Sequence, residues 1–494
     1  MSHEAPNPAR VRNLEDVDEW AVETDVAVIG FGGAGACAAI SADDAGADVC
    51  IFELASGSGG STALSGGDIY LGGGGGTPVQ RACGFEDSSD SMSTFLLSAC
   101  GPSVDAERVQ LYVDGSIDHY HWLVERGVPF KQSFDGRRDM MIWTDDCLQY
   151  SGNEKAWPFD QIAHPCPRGH YVQAEGEFGG RRLMEVLTEN VESRPIRVYY
   201  DARALTLVMD ERSTVCGIIV RAEGREIAVR TRKGVILCCG GFSLNEQLLR
   251  KHAPMLTRAT EALCSPGDDG AGILMGLGAG GSTINMHEGF VTLPFYPPAS
   301  LTNGILVNSQ GQRFVNEDAY HGRVGYFCLQ QMEEGIYLVF NADDLGSYQE
   351  FNYLSAEICG TGETAGELEK DLGLPEDSLV QTVAYYNLHA SQGNDPLFHK
   401  SSKWLTPLNG PLGALDCTPG RGAFYPFFTL GGLETRPTGE VLKPSGDLVS
   451  GLYAAGRTTC GLPRSAAGYA SGMSVGDATF FGRLAGRSAA ERET

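Results

Sequence analysis

The sequence predicts an α/β protein in which a Rossmann-like nucleotide-binding domain carries a second, α+β domain inserted into it. Three observations support this fold class. A glycine motif follows an apolar run near the N-terminus, glycine-rich motifs return near the C-terminus, and aromatic residues and prolines mark the stretch between them. The predicted organisation is an N-terminal arm over 1–20, a nucleotide-binding domain over 21–285, the insert over 286–424, and a return to the first domain over 425–494.

The first glycine motif has the strand–turn–helix context of a dinucleotide site. The apolar run 26–29 is followed by the spacing G-x-G-x-x-G and then by an alanine-rich helix,. The first glycine permits a tight turn, the second lets a pyrophosphate approach the backbone, and the third packs helix on strand. The helix N-terminus then faces the phosphates, and a carboxylate after the next strand can accept from ribose hydroxyls. The predicted contacts are Gly30, Gly32, Gly33, Ala34, Gly35 and Glu53.

Composition narrows the function classes. The 494 residues carry a formal net charge of −26, so nucleic acid is excluded as a partner,. No run approaches the roughly 20 apolar residues needed to cross a bilayer. The first twenty residues are polar and of mixed charge, unlike a signal or transit peptide,. The 14 cysteines are scattered without C-x-x-C spacing, which indicates buried thiols in a reducing cytoplasm and no metal site,.

A second glycine-rich segment, 56–76, follows the nucleotide motif. A flexible linker is the alternative, but a linker would not carry Ile69, Tyr70 and Leu71 between its glycines. The segment is therefore predicted to wrap closely around a ligand. Its predicted contacts to the cofactor are Ser61, Thr62, Ser65, Gly66 and Gly67.

Helices are predicted within 88–127 and over 181–191, and a β meander follows. Short antiparallel strands are predicted over 198–200, 205–209, 215–221 and 227–230, then an apolar strand over 234–239 and a helix from Gly270 to Ala279,. A meander that returns to a parallel sheet is the layout of two-dinucleotide-binding-domain flavoproteins.

Separate motifs occur in the order expected for one superfamily. They are the 28–35 and 59–67 glycine segments, Cys239 to Phe242, Gly267–Asp268, Arg313 to Glu317, and Leu452 to Gly456. Together they resemble the flavoproteins grouped with fumarate reductase and the 3-ketosteroid dehydrogenases. The resemblance implies bound FAD, a catalytic (cap) domain inserted into the FAD domain, and a substrate between them. Further FAD contacts implied are Ala204, Gly240, Gly241, Asp268, Gly456, Arg457, Gly472, Ser474 and Val475, the last two through N–H groups at a helix start facing flavin N1/O2,.

The motif set also implies how the cofactor is held and reoxidised. Gly240–Gly241 lacks the fingerprint spacing, so no second site for NAD(P)H is visible and the external electron acceptor is unknown. The His-Thr signature of covalent flavin attachment is replaced by Ser61–Thr62, so FAD is expected to be non-covalent.

Departures from the fumarate reductase pattern argue against a dicarboxylate substrate. In the N-E-x-x-x-R register this chain has His321, and the histidine before the Gly-Gly pair is missing from Phe427 to Gly432. A dicarboxylate pocket without its cations would leave buried charge unpaired, at a cost of several kcal/mol. Arg323 and Arg464 lie nearby in sequence, which keeps an ene-reductase as an alternative.

Tyrosines at those places resemble the ketosteroid dehydrogenases. That resemblance implies that Tyr469, with the backbone N–H near Gly472, polarises a ketone and that Tyr320, relayed through Ser471, takes the α-proton. A free phenol has a pKa of about 10, so a phenolate base needs a partner or a relay. For either tyrosine alone, a core aromatic residue is the alternative.

The short segments Ser151 to Glu154 and Tyr469 to Ser471 look more like the Δ4-(5α) subgroup than the Δ1 enzymes. The expected reaction is oxidation of the C4–C5 bond of 5α-3-ketosteroids, with α-proton loss to a tyrosine and β-hydride transfer to flavin N5. A Δ1-dehydrogenase, a fumarate-reductase-like ene-reductase and a flavin electron-transfer or redox-sensing protein are the alternatives. The expected substrate-lining residues are Phe295, Tyr296 and Phe428.

Overall fold

The computed structural model describes residues 8–331, 335–350 and 352–493. The strands are β1 (Arg12–Asn13), β2 (Val22–Ile29), β3 (Val49–Phe52), β4 (Asp68–Tyr70), β5 (Leu148–Gln149), β6 (Gly169–Tyr171), β7 (Arg197–Tyr199), β8 (Arg203–Met209), β9 (Val215–Ala222), β10 (Arg225–Leu237), β11 (Glu261–Ala262), β12 (Thr283–Ile284), β13 (Gly289–Val291), β14 (Ile305–Asn308), β15 (Ile336–Asn341), β16 (Ile358–Gly362), β17 (Leu412–Asp416), β18 (Pro426–Thr429), β19 (Gly432–Leu433), β20 (Glu440–Leu442) and β21 (Leu448–Ala454). The helices are α1 (Gly33–Asp44), α2 (Gly60–Ala63), α3 (Pro78–Ala82), α4 (Ser89–Ala99), α5 (Ala106–Glu125), α6 (Phe159–Ile162), α7 (Gly179–Glu192), α8 (Glu246–His252), α9 (Ala271–Gly278), α10 (His321–Gln330), α11 (Ala365–Asp371), α12 (Ser378–Ala390) and α13 (Met473–Glu491).

A parallel sheet forms the centre of the first domain. β2 pairs in parallel with β3 and with β10, β10 with β21, and β3 with β7. The run 26–28 and all of β3 are at most 1% exposed, because helices cover both faces of such a sheet,. α1 packs against α13 on one of these faces. The turn between β2 and α1 therefore opens at the carboxyl end of the central strands, where ligands bind in α/β sheets.

The predicted meander is confirmed, with two corrections to its edges. β8, β9 and the first half of β10 are antiparallel. The segment predicted as antiparallel over 198–200 is β7, which pairs in parallel with β3. The strands predicted over 227–230 and 234–239 are one strand, β10, because the chain passes Arg232 and Lys233 as an irregularity in register instead of a turn.

A second, antiparallel sheet lies within the chain segment of the predicted insert. Its order is β14-β15-β17-β16, and α11 and α12 supply the apolar side chains that cover it. A small sheet of β11, β18 and β13 joins strands from before, within and after that segment. The predicted combination of an FAD domain with a cap domain is confirmed by similarity to known structures described below, and the predicted domain limits stay predictions.

A buried ion cluster fixes the chain just before Tyr320. Arg313 pairs with Glu317 at 2.7 Å and with Asp395 at 3.0 Å, and the Lys400 ammonium lies 3.4 Å from Glu317. Burial alone would raise the pKa of Glu317, but the two cations more than offset it and hold that pKa below its ordinary value. The segment leading into α10 is thus anchored from the cap side.

Candidate active site

The turn between β2 and α1 forms a close-packed cradle. Gly30 has φ of 100°, which favours glycine, and a Cβ at this position would lie 2.4 Å from the Cys238 carbonyl oxygen,. A Cβ at Gly35 would lie 2.0 Å from the Gly30 oxygen, so the helix can approach the strand only with glycine here. Gly32, the N-cap of α1, provides no side-chain cap. The first turn of α1 therefore presents backbone N–H groups and a positive dipole end, which suit a pyrophosphate.

Glu53 lies at the end of β3 beside this turn. Its carboxylate accepts a hydrogen bond from Phe31 N at 2.6 Å and from Ala55 N at 2.8 Å. Each carboxylate oxygen retains a second lone pair, so the group can still accept from ribose hydroxyls. Ala204 lies near the start of β8, partly buried, in the same sheet.

The second glycine loop folds over the first. Thr62 Oγ1 accepts from Gly33 N at 3.1 Å, and Ser65 Oγ donates to the Thr62 carbonyl at 2.7 Å. Gly66 and Gly67 follow, with Gly67 N donating to Ser65 Oγ at 3.3 Å. The loop thus brings its backbone against α1, and the predicted contact of this loop with the cofactor stays a prediction.

An arginine–aspartate pair ties three glycine motifs together. Arg457 pairs with Asp268 at 2.8 Å and donates to Ser61 Oγ at 3.0 Å. Asp268 in turn accepts from Gly241 N at 2.5 Å. Burial alone would raise the pKa of Asp268, but Arg457 more than offsets this and keeps the carboxylate ionised. The residues after Gly240 and Gly456 are thereby held at one end of the cradle.

The start of α13 forms the other wall. Its N-cap, Gly472, has φ of 90° and provides no side-chain cap, and Ser474 and Val475 lie in the first turn. Both residues are only partly buried, so the first turn of α13 is accessible. Its free N–H groups and dipole would favour negative charge on a ring placed there.

Two phenols and a serine hydroxyl meet at this helix start. Tyr320, directly before α10, places its hydroxyl 2.5 Å from Ser471 Oγ. The Tyr469 hydroxyl donates to Ser474 Oγ at 3.0 Å. The Phe290 ring packs on Tyr469, with centroids 4.6 Å apart. The sequence-predicted catalytic residues are thus brought together, although they come from segments about 150 residues apart.

Burial determines the protonation of these phenols. It raises the pKa of Tyr320 well above its ordinary value and that of Tyr469 to about 12. Both are therefore neutral at physiological pH and can donate or relay a proton. His321, whose ring centroid lies 4.0 Å from that of Tyr320, is neutral as well, because burial and then Arg138 lower its pKa to about 3.

Arg138 holds the backbone that carries Tyr320. Its guanidinium donates to the carbonyls of Glu317, Asp318 and Ala319 at 3.0–3.2 Å, and to a threonine hydroxyl. The charge also lies 4.2 Å from the Tyr296 ring centroid. Arg138 was not among the predicted site residues, because nothing in a single sequence marks a side chain that binds backbone carbonyls 179–181 residues away.

The expected substrate-lining residues differ in position. Phe428 is partly buried and stacks on Phe290 at 4.8 Å, next to Tyr469. Phe295 is fully buried and Tyr296 is 3% exposed, with the Tyr296 hydroxyl accepting from His321 N. These two rings therefore support the tyrosine and histidine from the core, and their contact with a substrate stays a prediction.

The described arginines near the site are engaged elsewhere. Arg464 donates to the Ser103 carbonyl and pairs with Asp105 at 3.2 Å. Arg323 donates to the Ala467 carbonyl at 3.0 Å and lies over the Phe327 ring. Neither is free to bind a substrate carboxylate.

Comparison with known proteins agrees with this geometry. The model of the FAD binding domain family matches residues 25–471.

The chain belongs to this FAD-binding family.

Among solved structures, 3-ketosteroid-Δ4-(5α)-dehydrogenase from Rhodococcus jostii RHA1, in complex with 4-androstene-3,17-dione, matches with a TM-score of 0.91 and 44% identity, over 98% of this chain and 100% of that one. Among curated proteins, 3-oxo-5-alpha-steroid 4-dehydrogenase of Comamonas testosteroni is 26% identical, covering 89% of this chain and 94% of its own. Fumarate reductase (cytochrome) of Shewanella frigidimarina is 29% identical, covering 94% and 77%. The predicted superfamily and the predicted FAD cofactor are confirmed.

The cradle described above fits FAD. Glycines leave room for a pyrophosphate, α1 and α13 both begin without side-chain caps, and Glu53 at the end of β3 could accept from ribose hydroxyls. Asp68, which the sequence predictions did not include, is buried beside Gly472 at the start of α13. The sequence does contain a signal for it: an aspartate stands between Gly67 and the apolar residues 69–71, and aspartate is rarely buried without a partner,.

None of the helices in the part of the chain that the structure describes is long and apolar enough to span a membrane.

Proposed function

We propose that this protein is an FAD-dependent 3-ketosteroid dehydrogenase that introduces the C4–C5 double bond of 5α-3-ketosteroids. The observation that carries the proposal is the cluster of Tyr320, Tyr469 and Ser471 at the start of α13, next to the FAD cradle. The 44% identity to a Δ4-(5α)-dehydrogenase with a bound 3-ketosteroid supports the substrate class. The prediction of an FAD-dependent 3-ketosteroid dehydrogenase is borne out by this similarity.

Tyr469 is the electrophile of the proposed reaction. Its hydroxyl is a donor at neutral pH, because burial raises its pKa to about 12. A substrate ketone would replace Ser474 Oγ as its acceptor, assisted by backbone N–H groups near Gly472. This hydrogen bond strengthens as negative charge develops on the ketone oxygen, so it stabilises the transition state more than the ground state.

Ser471 and Tyr320 are the proton relay. Ser471 is partly exposed on the site wall, whereas Tyr320 is 5% exposed and lies behind it. The α-proton therefore passes to the serine oxygen, the serine proton passes to the Tyr320 oxygen, and the neutral Tyr320 hydroxyl must release its own proton to a base behind it. When bound, FAD supplies the acceptor for the hydride that leaves the β-carbon.

The alternative functions require different side chains around the substrate or give different products. A fumarate-reductase-like site needs free cations for two carboxylates, and the arginines described above are paired with protein groups. A Δ1-dehydrogenase would form a Δ1 product, which distinguishes it from the proposed Δ4-(5α)-dehydrogenase. We propose non-covalent FAD, since Ser61 and Thr62 are both engaged in hydrogen bonds in the loop of the expected attachment site. We also propose a cytoplasmic location, which the 14 free cysteines suit, and an external electron acceptor of unknown identity,.

The test is anaerobic bleaching of the flavin by a panel of substrates. The purified holoprotein is mixed with 5α-3-ketosteroids, Δ4-3-ketosteroids and simple dicarboxylates. We expect rapid bleaching with the first group and a Δ4-3-ketosteroid product. Bleaching by Δ4-3-ketosteroids with a Δ1 product would support the Δ1 alternative, and no bleaching by any steroid would refute the substrate class.

Two phenylalanine variants test the residue roles. Tyr469→Phe removes one donor to the developing oxyanion, and we expect kcat to fall about 10²–10³-fold. Tyr320→Phe removes the inner relay group, and we expect a fall of about 10²–10⁴-fold with steroid binding retained, since the ring remains. Both should stay yellow, because neither residue holds the flavin. Wild-type bleaching rates in both variants would contradict the assignment.

A further inference from the structure

The relay of Ser471 and Tyr320 needs a group that keeps the proton. Burial raises the pKa of Tyr320 well above its ordinary value, so this phenol is neutral. It can pass a proton on, but it cannot act as the final base. A chain of neutral hydroxyls must end in a base. The relay therefore requires an ionisable group behind the site wall, and three buried groups among the described residues are candidates.

Asp68 is buried directly behind Gly472. It is 6% exposed, and neither of its carboxylate oxygens makes a hydrogen bond of ordinary geometry among the described residues, although the Tyr171 and Ser151 hydroxyls lie close enough to lower its pKa in part. A Cβ added at Gly472 would lie 2.8 Å from Asp68 Oδ1. The FAD-facing residues Ser61 and Thr62 are partly exposed in the same structure, whereas Asp68 is covered by protein. An unpaired buried carboxylate is costly, and such groups gather at functional sites.

The carboxylate is connected to the relay through neighbouring strands. Asp68 of β4 is the register partner of Tyr171 of β6, so the two side chains lie next to each other on one face of the sheet,. Burial, and then the charges of Asp68 and Tyr320, raise the pKa of Tyr171 well above its ordinary value, so both groups lie near the Tyr171 side chain. Ser151, whose Oγ donates to the Ser471 carbonyl at 2.9 Å, completes the wall around the carboxylate.

We propose that Asp68 accepts the substrate α-proton at the end of a relay through Ser471, Tyr320 and Tyr171. The inference rests on the proposed function. In the step, the α-carbon–hydrogen bond breaks and its proton moves to Ser471, while each hydroxyl passes its own proton to the next oxygen. The last proton neutralises the Asp68 carboxylate, so the three hydroxyls are unchanged. The two electrons leave the β-carbon with the hydride and reduce FAD.

Two other buried groups are weaker candidates. Glu154 is also buried, but its oxygens accept from the Tyr70 hydroxyl at 3.1 Å and from Gly152 N at 2.9 Å. His321 has an unpartnered Nε2, yet its pKa of about 3 makes it a poor acceptor at neutral pH. Burial, and then the charge of Glu154, raise the pKa of Asp68 to about 8, which makes it an acceptor near physiological pH. The titratable groups that face Asp68 are Tyr112 of α5, Glu154, Tyr171, Tyr320 and Tyr469.

The experiment is the pH profile of flavin reduction by a saturating 5α-3-ketosteroid in the holoenzyme. In the wild type the rate should rise as Asp68 ionises, through a pH of about 8. Asp68→Asn keeps the shape but cannot take a proton, so the rising limb should vanish and the rate fall about 10²-fold. Flavin content and steroid affinity should match the wild type. Infrared difference spectra should show the carbonyl band of a protonated carboxylic acid on reduction of the wild type and not of Asp68→Asn.

Glu154→Gln gives a second test that does not alter the acceptor. Removing its charge lowers the pKa of Asp68, so the rising limb should move to lower pH while the maximal rate persists. Tyr171→Phe should slow reduction about 10²-fold without loss of flavin or steroid affinity. These two variants decide the matter if Asp68→Asn does not fold.

Several outcomes would overturn the proposal while leaving the proposed function intact. They are an unchanged pH limb in Asp68→Asn, loss of FAD or steroid affinity in that variant, an unshifted limb in Glu154→Gln, or loss of the limb in His321→Asn instead. A wild-type flavin that no ketosteroid reduces is a different result, because it would refute the proposed function itself.

Discussion

Replacing Arg138 by lysine tests whether the backbone before Tyr320 is held from the FAD-domain side. The arginine donates to three consecutive carbonyls and one hydroxyl. Lysine retains the charge but loses the planar fork that reaches several acceptors at once. A buried carbonyl left unpaired costs about 1–3 kcal/mol, so with partial relaxation we expect the free energy of unfolding to fall by about 2–4 kcal/mol.

The same substitution should affect turnover more than binding of FAD. Tyr320 follows directly after the clamped carbonyls, and its hydroxyl must stay 2.5 Å from Ser471 Oγ to relay a proton. A displacement of about 1 Å at a reacting group costs up to about 10²-fold in rate, so kcat should fall about 10- to 100-fold. Steady-state turnover of a 5α-3-ketosteroid with an artificial electron acceptor measures kcat, urea denaturation measures stability, and flavin absorbance measures FAD content.

The neighbouring residue provides a matched control. Arg137 has a 54% exposed side chain and pairs with the buried carboxylate of Asp135, so Arg137→Lys exchanges one exposed cation for another beside the same carboxylate,. It should retain wild-type stability and kcat. Wild-type kcat and stability in Arg138→Lys, or equal losses in both variants, would refute the positioning role.

Two further predictions concern the cofactor and the cap. Gly32→Val places a branched side chain at the pyrophosphate turn, so the purified variant should be colourless, and full flavin occupancy would contradict the cradle. Glu317→Gln leaves Lys400 buried without its carboxylate and Arg313 with Asp395 as its remaining carboxylate partner, and it should lower the free energy of unfolding by about 3–5 kcal/mol,. Because the folded-state pKa of Glu317 lies below its ordinary 4.5, its stabilisation is present above that pH and is lost as the pH falls; urea midpoints across pH should show a smaller acid loss in Glu317→Gln than in wild type,.

The parts of the site that obey local rules could be predicted from the sequence. Gly30 and Gly35 follow from contacts within one strand–turn–helix unit, where close backbone approach forces glycine. Tyr320 and Tyr469 were predicted by resemblance, because ordered motifs set their register. The structure then added their distances and raised pKa values, which no sequence spacing contains.

The missed parts depend on contacts between distant segments. Arg138 binds carbonyls 179–181 residues away, and backbone carbonyls carry no sequence signature. Asp68 gains its significance from burial against Tyr171 and Gly472, which only the folded sheet brings together. The prediction of two strands where β10 is one strand was wrong for a different reason. An apolar pattern shows which residues are buried, but it does not show whether the chain turns or continues between two apolar runs.

The arrangement assigns separate tasks to separate chain segments. The turns after β2 and β3 form the proposed FAD cradle, the C-terminal segment supplies Tyr469 and Ser471, and the segment before α10 supplies Tyr320. The Tyr320–Ser471 contact joins the last two across 151 residues of sequence, so a shift of the cap by about 1 Å would break the relay while the ketone hydrogen bond survived,. The proposed function therefore predicts that substrate binding and proton removal are separable, and variants at Arg138 should lose kcat while retaining affinity for the steroid.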